Sequence, residues 1–148
     1  MDYEAERRFI QSYIRKERRE RLLYELTNPG KRYGGLSRFC HHADALLDRS
    51  KLLMSGTNLY RQKNFLNFIA HHEELCFVLS PYFNQEEPLS TQKAVALAKS
   101  FPDVCIIIGN CFAVIQTEAE RSGQNKYLLS DKRTEGKERI ERGGTKSP

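Results

Sequence analysis

The side chains that most readily hold metals or move protons gather in two short segments. RFCHHADALLD, residues 38–48, carries Cys40, the adjacent pair His41 and His42, and the carboxylates Asp44 and Asp48. AHHEELC, residues 70–76, carries His71, His72, Glu73, Glu74 and Cys76. Imidazoles, thiolates and carboxylates of this kind serve zinc sites and general acid–base catalysis. A helical zinc pair, however, needs histidines at i and i+4, so that both rings face one ion. Adjacent residues diverge by about 100° on a helix. On a helix over 38–47, Phe39, Ala43, Leu46 and Leu47 mark the apolar side; His41 lies opposite it and His42 on its flank. His41 has Asp44 as its i,i+3 surface neighbour. On a helix over 59–73, His72 falls within the apolar face of Phe65, Phe68 and Ile69, and His71 outside it. The expectation is four histidines without a metal or cofactor, His72 sitting at a core edge. The rival is a small metal-dependent hydrolase built on His42 and His72, with Cys40 or Cys76, which requires the two helices to pack face to face.

Other catalytic patterns are missing. The chain has no G-x-S-x-G and no P-loop. The double glutamates at 73–74 and 86–87 lack the spacing that sets two carboxylates across a substrate. An enzyme is therefore not the preferred reading. The segment NPGKRYGGLSR, 28–38, is more suggestive. Lys31, Arg32 and Arg38 flank Gly34 and Gly35, and Ser37 is placed to cap a helix from Arg38. Glycines, helix N–H groups and basic side chains together make a generic anion site. The simpler reading is an inter-helix turn. In RKERRER, 15–21, the cations Arg15, Arg18, Arg19 and Arg21 form a basic surface. Glu17 and Glu20 interrupt it, pair with Arg21 and Lys16 at i,i+4, and would repel a phosphate backbone.

Composition narrows the class. With 148 residues, 39% hydrophobic and 29% charged, the chain suits one core. No apolar run approaches the roughly 20 residues of a membrane span, and MDYEAERRFIQ has no signal-like apolar region. A cytoplasmic protein without membrane partners is expected. Cys40, Cys76, Cys105 and Cys111 show no C-x-x-C spacing and sit among apolar residues, so free cysteines are expected. The net charge of +5 is uneven. Ten basic and six acidic residues give +4 in 1–38, eight and ten give −2 in 39–131, and six and three give +3 in 132–148.

These segments need a scaffold. A long N-terminal helix is read over 1–27, stopped by Asn28, Pro29 and Gly30. Helices over 38–47, 59–73 and 91–101 follow, with strands at 51–55, 75–80 and 103–108. Strand 75–80, helix 91–101 and strand 103–108 read as a right-handed crossover. Gly109 and Asn110 then suit a II′ turn joining 104–108 to 111–115, in preference to a helix over 111–121. A last strand runs over 126–130. The expected fold is α+β: a mixed sheet with a C-terminal antiparallel meander packed by helices, in a single domain 1–131 with a basic tail 132–148. The expected function is binding of another protein or self-association. The alternative is nucleic-acid association through the basic N-terminal helix and loop.

Overall fold

A strand with one buried face alternates apolar and polar residues, but VCIII at 104–108 does not alternate. Both of its faces must be covered. In the computed structural model, which describes residues 3–82, 87–121 and 124–131, every residue of this strand is buried. The sheet contains β1 (Leu52–Ser55), β2 (Leu75–Leu79), β3 (Leu89–Ser90), β4 (Val104–Ile108), β5 (Phe112–Arg121) and β6 (Gln124–Ser130). Its order is β1-β6-β5-β4-β2-β3. Cys105, Ile107, Ala113, Ile115, Tyr127 and Leu129 point to one face and join one core. Val104, Ile106, Ile108, Val114 and Leu128 point to the other and join a second. The period of two along each strand generates the two cores.

The α+β class and the antiparallel C-terminal meander are as expected, but the sheet is not mixed. Every pairing between named strands is antiparallel. The expected crossover fails for a specific reason. After β2, the chain returns to that strand's starting end, where Ser90 pairs with Leu75. Helix α6 (Thr91–Ala98) then carries it back, so β4 starts beside the end of β2, with Leu79 opposite Cys105. The β4–β5 hairpin is present, and 112–121 is strand rather than helix. Its loop has three residues instead of two, because Ile108 pairs with Phe112. Gly109 takes φ +55 there, and a Cβ would collide with the Glu74 side chain.

The helices divide between the faces. Those from the first half are α1 (Tyr3–Tyr13), α2 (Lys16–Thr27), α3 (Pro29–His41) and α4 (Ala43–Leu46). Their apolar residues join the core of Cys105 and Ile115. α5 (Lys63–His71) and α6 join the opposite core. The N-terminal helix is present but is not continuous over 1–27. It breaks at Ile14 and Arg15, where Ile14 forms an isolated bridge with Leu47 and the Arg15 N–H donates to the Leu46 carbonyl. That bond replaces the helical ladder. The helix expected over 59–73 starts late, after a 3₁₀ turn at Leu59–Arg61. The tail 132–148 lies outside the described residues.

The largest departure is at 28–38, which is helical rather than a loop. Asn28 does end α2, but it also caps α3: its side chain accepts from the Gly30 N–H, and Pro29 takes the first helical position. Gly34 and Gly35 therefore lie inside a helix. They differ in environment. A Cβ on Gly34 meets nothing within 4 Å, whereas one on Gly35 would lie 2.8 Å from the Glu25 Cβ of α2. Gly34→Ala is therefore expected to raise stability by about 0.5–1 kcal/mol through helix propensity. Gly35→Ala is expected to lower it by about 1–3 kcal/mol through overpacking. Urea denaturation of the two variants measures both signs.

Candidate groove and side-chain clusters

Helices α2 and α3 meet where Gly35 admits Glu25. The Glu25 side chain is 12% exposed and accepts from Arg21 at 3.4 Å and from Arg38. This anchors the two helices beside a groove of about 250 Å³. Leu22, Phe39 and Leu46 supply apolar lining, and Arg18, Arg21 and Arg38 supply cations, with His42, Glu17 and Glu25 among them. Residues from three separate sequence segments thus converge. Arg18 and Arg21 come from the basic surface, Gly35 and Arg38 from the expected anion loop, and His42 from the histidine segment.

The remaining members of the expected anion site are dispersed. Lys31 is exposed. Arg32 forms a two-point ion pair with Glu6 of α1, at 2.8 and 2.6 Å, and also donates to the Leu26 carbonyl at 2.8 Å. The hydrogen bond to Glu6 holds the Arg32 pKa above its ordinary value, against the opposing effect of burial. The glycine N–H groups are mid-helical. A loop cradle for an anion is thus not assembled here. In the basic surface, Arg19 donates to the Ile14 carbonyl at 2.8 Å, while Arg15 and Arg18 are exposed. The expected Glu17–Arg21 pair is replaced by Arg21–Glu25.

The histidines do not converge as the hydrolase reading required. His42 follows α3 on one side of the sheet, and His72 follows α5 on the other. His72 is half-buried, as its periodicity indicated. It stacks on Phe68 at 4.3 Å between ring centres and meets Phe112 edge-on at 4.8 Å. Asp44 is buried rather than at the surface. His41 instead meets two carboxylates absent from its own segment. Its Nδ1 lies 3.5 Å from Glu118 Oε1 on β5 and 3.9 Å from Asp103 Oδ2, just before β4. A helical wheel carries no information about such long-range partners.

A second recess, of about 380 Å³, lies by the α6 side of the sheet. Arg61, Lys99 and Lys126 line it with Tyr60 and Gln116. Gln116 is structural: it accepts from the Tyr60 hydroxyl at 2.7 Å and donates to the carbonyls of Ala98 and Phe101 at the end of α6. Cys40, Cys76, Cys105 and Cys111 form no disulfide, and Cys40, Cys76 and Cys105 are buried. Comparison with protein families, curated proteins and solved structures finds no match.

The Glu6–Arg32 pair is a sharp test of how the helical layer is held, because its side chains are only 5% and 12% exposed. Glu6→Leu alone leaves a poorly solvated guanidinium and is expected to cost about 3 kcal/mol. Adding Arg32→Met removes the unpaired charge and is expected to restore most of that loss. Thermal unfolding of the single and double variants decides it.

Proposed function

We propose that this chain is a protein-binding module whose α2–α3 groove receives an apolar side chain flanked by carboxylates. The observation that carries this reading is the groove itself, which apolar Leu22, Phe39 and Leu46 line together with Arg18, Arg21, Arg38 and His42. Its volume of about 250 Å³ is below the roughly 300–1,000 Å³ of common small-molecule sites. It suits one or two side chains of a partner, the anchor-in-pocket arrangement that dominates protein interfaces. The cations at the rim favour an acidic partner through steering and register. The +4 excess of residues 1–38 lies on these same helices.

The nucleic-acid alternative draws less support. A phosphate-tracking surface needs several unengaged cations in line. Glu17 and Glu20 interrupt the row on α2, Arg32 is held by Glu6, and Arg19 holds a backbone carbonyl. No helix is long and apolar enough to cross a membrane among the described residues.

The test is fluorescence anisotropy with labelled short peptides carrying a central Leu or Phe flanked by glutamates. Binding is expected, and is expected to weaken at least about tenfold, or about 1.4 kcal/mol, in the Arg18→Glu/Arg21→Glu variant. Equal binding of a lysine-flanked control would contradict the reading. So would tighter binding of single-stranded RNA that falls steeply with salt and is lost in the same variant.

A further inference from the structure

We infer that His41, Asp103 and Glu118 form a binding site for a divalent transition-metal ion, zinc being the strongest candidate. One ligand atom from each of the three lies within 4.8 Å of the other two. A tetrahedral ion with bonds of 2.0–2.2 Å sets its ligands about 3.3–3.6 Å apart. The His41–Glu118 separation of 3.5 Å already matches, and the His41–Asp103 separation of 3.9 Å is slightly wide. Glu118, with a side chain 60% exposed, has room to adjust.

Asp103 gives the site its independent support. Its side chain is only 5% exposed, and a buried carboxylate requires compensation. Its Oδ1 accepts the Glu118 backbone N–H at 2.5 Å, and the Ser80 hydroxyl donates to its backbone carbonyl at 3.3 Å. These bonds hold the carboxylate with Oδ2 towards His41. The Tyr82 hydroxyl lies 3.5 Å from the same Oδ2, and the Tyr82 ring stacks on Phe101. This is the outer-shell support that orients metal ligands. Among the described residues, no lysine or arginine comes within ion-pair distance of Asp103 or Glu118. The two carboxylates thus lie close together without such a partner, and a divalent cation balances both. One nitrogen and two oxygens suit borderline first-row ions, among which zinc binds more tightly than manganese. Three protein ligands leave a further position open to water.

The test is calorimetric titration of tag-free, reduced protein with zinc chloride, checked by elemental analysis. One ion per chain is expected. His41→Gln and Glu118→Gln should each weaken binding at least about tenfold, the lower end of the 10–100-fold cost of losing even an outer-shell partner. His71→Gln, an exposed control, should leave it unchanged. Failure to bind zinc would overturn the inference. So would binding that survives both ligand substitutions but is lost in Cys111→Ser. Asp103 is left unsubstituted because it also anchors the β4–β5 region; the two exposed positions suffice.

Discussion

The rest of the structure depends on one constraint: the central strands are apolar on both faces. Val104, Ile106 and Ile108 need cover on one side, and Cys105 and Ile107 on the other. A single helical layer cannot supply both. The chain supplies α1–α4 to the face of Cys105 and Ile107 and α5–α6 to the other, with the sheet between them. Burial at about 25 cal/mol per Å² of apolar surface is the driving term. Sheet register then decides which side chains share a face, because a shift of one residue exchanges the two cores.

Polar contacts do a different job. They set the angle and spacing of elements that apolar packing alone would hold loosely. Glu25 seats against Gly35 and holds Arg21 and Arg38; Glu6 clamps Arg32 and ties α1 to α3. Gln116 closes the end of α6. Each is a buried or half-buried polar group with its partners in place, as stability requires. The groove follows from these contacts. It is lined by the parts of α2 and α3 that Glu25 and Gly35 hold in register, together with Arg18, Arg21 and Arg38.

What was legible in the sequence was local. The β-branched run at 104–108, the Gly109 turn and the β-character of 112–115 sufficed to read the hairpin. The apolar phase of Phe65, Phe68 and Ile69 located His72 correctly. Residues 28–38 read as a loop because Asn-Pro-Gly ends one helix and begins the next, and the same residues carry both signals. Two adjacent glycines also argue against a helix until Glu25 is known to need the space over Gly35. The parallel crossover was inferred because nothing in PYFNQEEPLS announces that the chain turns back to pair Ser90 with Leu75. The groove is half legible, since the sequence shows its cations but not their convergence. His41, Asp103 and Glu118 were out of reach, separated by 62 and 15 residues and joined only by tertiary packing.

The central claim is that the sheet partitions the chemistry of this chain, with the His42 end of α3 on one face and the His71 end of α5 on the other. Spin labels at these two exposed positions measure it directly, in the variant His42→Cys/His71→Cys with Cys111→Ser. Cys40, Cys76 and Cys105 are buried, and burial pushes the Cys76 and Cys105 thiols up, so they resist labelling. Two packed layers of about 10 Å each separate the labels, so electron–electron dipolar spectroscopy should return a distance beyond about 20 Å. A dominant distance under about 15 Å would place both helix ends on one face, and would contradict the partition from which the histidine assignments follow.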